Sequence, residues 1–395
     1  MHDVIVVGAR VAGAATALRF AQAGYKVLLV DRARFPSDTL STHYIHQPGI
    51  ARLARWGVLD AVKASGAPPL ETAVYQVGDV RLEGCSEPAE GQRAAYAPRR
   101  KVLDGLLIDA AVAAGAEFRE ACPVAGPVFD GDRVVGVRCH AGVGRQVEER
   151  ARLVVGADGM RSGVADAVGA EFTVRDPLQT CVYYTYWTGL SADFELYERP
   201  GRWIGSVPTN DGATLIAAYF TQQEFPTVKP DPLGHYLENI RTTAPDLHAR
   251  LQGAEQVERL RGTGDQQNFF RRASGPGWAL VGDAAHHKDS ITARGISDAF
   301  LQADLLADSV GSGLRNETEL AEGLARYARV HQARLFEGYQ ATLIVSQLAV
   351  PEERMTLLRA VSRSQELTDR YFAAAAGQLS MEELYTEELL GLLVG

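Results

Sequence analysis

Long hydrophobic runs are missing from this 395-residue chain. No stretch of about 18 apolar residues exists, so no membrane-spanning helix is expected. Lysine is scarce, confined to Lys26, Lys63, Lys101, Lys229 and Lys288. Arginine far outnumbers it, yet no basic run forms and the formal net charge is −9. A chain without such a run has no means of releasing counterions from a phosphate backbone, which argues against nucleic-acid binding. Cysteine is also sparse. Cys85, Cys122, Cys139 and Cys181 are scattered, with no CxxC pair and no Cys/His metal spacing, so neither a zinc site nor a redox dithiol is indicated. Isolated thiols of this kind fit a reducing cytoplasm. Met1 leads almost at once into a strand, and no signal peptide is expected. Internal repeats and low-complexity segments are absent too. With 46% hydrophobic and 23% charged residues the composition is that of an ordinary globular protein. The length suits one large domain or two intertwined ones.

The first apolar run, Val4-Ile-Val-Val7, ends in Gly8. Such a strand is covered on both faces and belongs in the middle of a parallel sheet. A small-residue helix follows from about Val11 to Ala23, with Gly24 as its C-cap. A second strand, Lys26–Val30, ends at Asp31. The result is a βαβ unit. In its turn, Gly8-Ala-Arg10-Val11-Ala12-Gly13, Gly8 permits the tight bend and Gly13 lets helix and strand approach. The free N–H groups at the helix start face a diphosphate. Asp31 is placed to accept from ribose hydroxyls, beside Arg32. Arg10 stands where a dinucleotide fingerprint has its middle glycine. It either points outward or reaches over the diphosphate as a cation.

Beyond Arg32 a polar stretch, Phe35 to His43, reads as a long loop. Helical periodicity returns near Gly49–Trp56 and Val102–Ala114. Leu153–Val155 is a second buried-strand signal. Between about 172 and 265, alternating aromatic segments such as Val182–Trp187 and Thr214–Phe220 suggest antiparallel strands with one covered face. A third apolar run, Trp278–Val281, leads into Gly282. From about Glu319 the pattern is helical, broken at Pro351, with a capping-box sequence at Ser380–Glu383.

Two further motifs stand at strand ends: Val154-Val-Gly-Ala-Asp158-Gly159 and Val281-Gly282-Asp283-Ala-Ala-His286, the latter continuing to Ala293-Arg294-Gly295-Ile296. Together with the Gly8 turn they resemble the FAD-dependent monooxygenase family of the para-hydroxybenzoate hydroxylase type. Its superfamily also holds geranylgeranyl reductases and flavin-dependent halogenases. The resemblance spans roughly residues 1–310. It implies an α/β fold: a Rossmann-like FAD-binding domain (1–75, 98–172 and 265–318), an inserted antiparallel-sheet substrate domain (76–97 and 173–264), and a C-terminal helical region (319–395) that covers the pocket or forms an interface.

The resemblance also implies site residues. Asp283 accepts from ribityl hydroxyls, and the helix opened by Ala293, Arg294, Gly295 and Ile296 directs its N–H groups at the anionic edge of reduced flavin. Asp158 and Gly159 lie near the diphosphate. The basic residue the family carries shortly after them is missing from Gly163-Val-Ala-Asp166. Arg100 reaches the FAD diphosphate, with Arg99 as the alternative, and the Val124 backbone contacts adenine. Ser41, Thr42 and His43 run under the flavin ring, where His43 faces the isoalloxazine or the substrate, or else bonds loop backbone. Lys288 reads as a surface charge.

The reaction implied first is monooxygenation: NADPH or NADH as reductant, molecular oxygen as co-substrate, and transfer through a flavin C4a-hydroperoxide to an aromatic or polyketide-like small molecule. Reduction of an isoprenoid or other alkene is the alternative. Halogenation is weaker, because Trp203-Ile-Gly205-Ser-Val-Pro208 has glycine where the halogenase element has its second tryptophan, and no lysine falls between Lys63 and Lys101. Tyr183, Tyr184, Tyr186, Trp187, Trp203, Tyr219 and Phe220 are candidates for roofing the pocket, about half of them facing inward by strand alternation. No residue is named as a general acid or base.

Overall fold

The computed structural model describes residues 1–140 and 146–394. The opening unit forms as the strand His2–Val7, the helix Val11–Gln22 and the strand Val27–Val30. Val4–Val7 pair in parallel with Val27–Val30 on one side and with Leu153–Gly156 on the other. Trp278–Leu280 joins outside Gln146–Gly156, with Leu280 opposite Gly156, and Glu117–Arg119 closes the far edge. These runs are apolar throughout because both faces of the sheet are covered. The helix Val11–Gln22 packs on Arg100–Ala113 and Gly295–Val310. Inside this helix layer the buried Asp304 carboxylate takes Arg19 at 2.8 Å, Arg52 at 3.2 Å, Arg55 at 3.1 Å and the Trp56 indole N–H at 3.1 Å.

The aromatic strands build a second sheet. Its order is Glu255–Gln256, Thr180–Thr188, Thr214–Thr221, Arg202–Pro208, Phe194–Arg199, Ala73–Val77 and Val80–Gly84. Ala73–Val77 is one of its strands, so the chain enters this sheet a few residues before position 76. The expectation of one covered face is corrected. Tyr186 faces the side of the loop that ends at His43, meeting that ring and the Arg99 guanidinium, while Cys181, Tyr183 and Trp187 pack on the side of Pro232–Thr243 and Pro245–Arg250. With both sides covered, the whole strand Thr180–Trp187 is buried, including its tyrosines. A small third sheet joins Phe172–Asp176, Asn268–Arg271 and His286–His287.

The C-terminal region is helical as its periodicity suggests. Glu317–Ser346 ends before Pro351, which N-caps Glu352–Val361. Gln365–Ala376 follows, and Ser380 and Glu383 close a capping box on Met381–Leu384. All four cysteines are free and buried. Among the described residues no helix is long and apolar enough to cross a membrane.

One polar clamp fixes the C-terminal helices to the second sheet. Arg354 donates to both oxygens of Glu198 at 2.8 Å and to the Tyr75 hydroxyl at 2.7 Å. Burial pushes the Glu198 carboxyl above its ordinary range, and Arg354 opposes that shift. Removing one partner leaves a buried charge uncompensated. Glu198→Ala is therefore expected to destabilise the fold by roughly 3–5 kcal/mol in urea unfolding. The double replacement Glu198→Leu/Arg354→Met should recover most of that loss. Equal destabilisation by single and double variants would contradict the clamp.

Candidate functional site

The three strand ends that carry the sequence motifs meet in register, at Val7, Gly156 and Leu280. Their turns touch. A Cβ on Gly8, whose φ is +103°, would stand 2.4 Å from the Ala157 carbonyl oxygen, and one on Gly282 would stand 2.6 Å from the Ala12 Cβ. A Cβ on Gly13 would fall 1.7 Å from the Gly8 carbonyl oxygen. Only glycine allows this convergence.

A cleft of about 650 Å³ opens over it. Gly8, Arg10, Val11 and Ala12 line one end, with Asp31 and Arg32 beside them. Ser41, Thr42, Arg100 and Val124 form further wall, as do Asp158 and Gly159. Gly282, Asp283, Ala293, Gly295 and Ile296 complete the lining. The helix Val11–Gln22 has no side-chain cap and no acidic residue in its first turn. Its leading N–H groups are left for an anion. Asp31 holds the turn by accepting from the backbone N–H of Ala9 and of Ala33, both at 2.7 Å. Asp158 accepts from the Ser162 hydroxyl at 2.5 Å and the Val164 N–H at 3.2 Å, and burial pushes its carboxyl up. Asp283 is exposed to the cleft. Unclaimed amides, flanking arginines and a free carboxylate make a donor and acceptor set that fits a dinucleotide.

Arg10 settles between its two expected positions. It is tethered along the wall, donating to Asp104 at 2.9 Å and to Ser37 Oγ at 3.2 Å. Arg100 shares Asp104, through Nε at 3.1 Å. Arg99 lies outside the cleft, bound to Asp38 at 2.5 Å and Glu258 at 2.7 Å, with its guanidinium 3.9 Å from the Tyr186 ring centre.

Gly13, His43 and Arg294 do not line the cleft. Gly13 acts through packing. His43 is fully buried at φ +63°, and its Nε2 lies 2.6 Å from the Tyr186 hydroxyl. Its ring thus pins the loop from beneath while neighbouring Thr42 faces outward. Arg294 points into a second cavity. Lys288 is also corrected. It is buried in an ion pair with Asp298 rather than exposed, because the turn folds it inward over the helix start.

That second cavity, about 760 Å³, is mostly apolar. Trp203, Gly205, Leu215, Ala217 and Tyr219 form its floor. Tyr44 and Phe194, stacked at 4.0 Å between ring centres, line one side. Its roof, with Ala341, Val345, Tyr371, Phe372 and Leu384, comes from the C-terminal helices. Of the seven aromatic candidates only Trp203 and Tyr219 line it; the other five pack elsewhere. Of the two expectations for the C-terminal region, covering the pocket or forming an interface, the first matches this roof, though no residue of it stood out in the sequence. Thr42 and Ala293 belong to both cavities, so the two adjoin there.

Residues 1–331 match the sequence model of a family described as an FAD binding domain. Among curated proteins the chain is similar to the digeranylgeranylglycerophospholipid reductase of Methanosarcina acetivorans, 27% identical over 314 residues, which are 76% of this chain and 72% of that protein. Among solved structures it superposes on the myxobacterial chondrochloren halogenase CndH with TM-score 0.80 and 22% identity, covering 99% of this chain and 95% of the other. It superposes on PqsL, a probable FAD-dependent monooxygenase from Pseudomonas aeruginosa, with TM-score 0.71 and 20% identity, covering 96% and 100%. At these identities the structural likenesses establish the shared fold.

Two outcomes are expected. Arg100→Gln should weaken FAD binding roughly 10- to 100-fold, the worth of one hydrogen bond to a charged group, whereas Arg99→Gln should change it less than about threefold. Flavin fluorescence titration checks this, and the reverse ranking would exchange their roles. The second concerns acid. Burial depresses His43 to about 3, His46 to about 4, His331 to about 3, and His286 well below its ordinary value. Each histidine takes up a proton on unfolding below about pH 6.5. The stability held above that pH is lost as pH falls toward 4, by up to about 1.4 kcal/mol per pH unit for each. Asp289, raised to about 6 by burial, runs oppositely and loses stability as pH rises from 4 to 6. Asp158 and Glu198, also raised by burial, run the same way as Asp289, and with four histidines against three carboxyls the thermal midpoint should drop between pH 6.5 and 5.

Proposed function

We propose that this chain, which belongs to the FAD binding domain family and is an FAD-dependent oxidoreductase, is a monooxygenase of a hydrophobic aromatic or polyketide-like small molecule held in the apolar cavity. The observation that carries this reading is the adjacency of the two cavities at Thr42 and Ala293. In it, the Val11 and Ala12 N–H groups and Arg100 hold the FAD diphosphate, Asp31 the ribose and Asp283 the ribityl chain. The amides that open Gly295–Val310 face the flavin ring. FAD supplies the electron and oxygen chemistry, with NADPH or NADH as reductant and molecular oxygen as co-substrate. The chain positions the substrate and excludes water around it. Aromatic walls from Tyr44, Phe194, Trp203 and Phe372 favour a planar guest. No acid or base is needed in a cavity whose task is orientation.

A second reading is reduction of an alkene-bearing lipid. It is supported by the similarity to the Methanosarcina reductase and by the same apolar lining. Halide chemistry is less favoured: among the described residues no lysine lines the apolar cavity, and Gly205 stands on its floor.

Turnover separates these. With NADPH or NADH and a panel of phenols under labelled dioxygen, the expected product carries the heavy oxygen. Anaerobic, NADPH-driven saturation of an alkene with no label uptake under oxygen would replace the first reading by the second. Gly205 has room for a side chain, its Cβ position lying 3.7 Å from Leu196. Gly205→Trp should fill the cavity floor and lower substrate-dependent turnover by about a hundredfold, as expected for a displaced substrate, while bound FAD per chain stays unchanged.

A further inference from the structure

The apolar cavity contains one charged group that no hydrogen bond satisfies among the described residues. Arg294 makes no side-chain hydrogen bond among the described residues, and its Nε is buried without a partner. Its nearest carboxylate oxygen, on Asp298, is 3.8 Å away, and Asp298 is already occupied by Lys288. The other charges around the cavity are accounted for. Arg354 is neutralised by Glu198. Glu71 and Glu353 are exposed, as is Glu337, which takes the Met381 N–H at 2.7 Å.

The guanidinium is also held in place by shape. A Cβ on Gly338 would stand 2.9 Å from its Nη1, and a Cβ on Gly377 would stand 2.1 Å from its Nη2. Gly338 lies inside the helix Glu317–Ser346, where glycine is disfavoured relative to alanine. Gly377 caps Gln365–Ala376. Two glycines from two helices thus form a slot that fits a flat guanidinium. Next to it His46, depressed to about 4, is neutral. With Lys288 paired to Asp298, Arg294 is left in the apolar cavity with no carboxylate oxygen nearer than 3.8 Å. An unpaired buried charge is costly unless a counter-charge arrives.

We propose that Arg294 binds an oxyanion head on the substrate, so that the molecule held in the apolar cavity is a hydrophobic acid whose charged end lies next to the flavin site. This deepens the reading of the cavity as the substrate site and rests on it. Arg294 is a specificity-determining residue here: its planar fork pairs with a carboxylate or phosphate in bidentate fashion, which a lysine cannot reproduce.

The test uses FAD-loaded enzyme and two fluorescent probes with one apolar body, 1-pyrenebutyrate and 1-pyrenebutanol. Wild type is expected to bind the acid at least about tenfold more tightly, from the charge-assisted hydrogen bonds. Arg294→Gln should abolish that preference and Arg294→Lys should keep part of it, with FAD content and unfolding midpoint reported for each. Displacement of pyrenebutyrate by decanoate or by decyl phosphate identifies the head group, and decanol should displace it poorly. Equal binding of acid and alcohol by wild type, or a preference that survives in Arg294→Gln, overturns the proposal. So does a shifted flavin reduction potential in Arg294→Gln with an unchanged acid-to-alcohol ratio, which assigns the charge to the cofactor instead. Gly205→Trp tests the underlying reading separately. If it leaves binding of both probes untouched, or if wild type binds neither, the cavity is not the ligand site and both conclusions fall.

Discussion

The contact between Gly8 and the Ala157 carbonyl is the constraint on which the site is built. It holds because three parallel strands end level with one another and each turns away immediately. The tight approach leaves the leading amides of Val11–Gln22 at the floor of a cleft, with no side chain interposed. It also brings residues from widely separated parts of the sequence to one edge. A single added carbon at Gly8 or Gly13 would collide with backbone that cannot retreat, because the strands behind it are paired on both sides.

From that edge outward the architecture follows chemical need. Burial neutralises the histidines around the site, and the ion pair of Lys288 with Asp298 keeps two charges balanced close to the start of Gly295–Val310. His43 and Tyr186, with Arg99 stacked on the tyrosine ring, hold the loop that presents Thr42. Strain at a non-glycine residue with positive φ is typical where a segment must be held in one conformation. What the loop achieves is a shared wall between a polar compartment and an apolar one.

The parallel core, the order of its motifs and most of the cleft were legible in the sequence. Buried parallel strands are apolar on both faces, and the tight turns at their ends demand glycine, so Gly8, Gly159 and Gly282 stand out. Short-range capping signals were equally plain at Ser380 and at Pro351. Three kinds of information were not local and stayed hidden. Side-chain direction at a turn depends on what packs over it, which is why Lys288 looked exposed and nothing told where the Arg294 side chain would point. A histidine in a polar loop gives no sign that a tyrosine from Thr180–Thr188 will meet it. And the alternation of the aromatic strands could not disclose that both sides would be covered, one of them by His43 and Arg99.

The lining of the cleft ends at Gln302, while the roof of the apolar cavity is drawn from Glu337 onward. Much of that roof, from Glu337 to Tyr385, follows the segment that matches the family model. The cleft and the roof of the apolar cavity therefore answer to separate stretches of genetic text. Drift in about the last seventh of the chain can recut the shape of the guest while every atom that touches the nucleotide stays as it was, an arrangement that lets one redox engine be refitted for new cargo without being rebuilt.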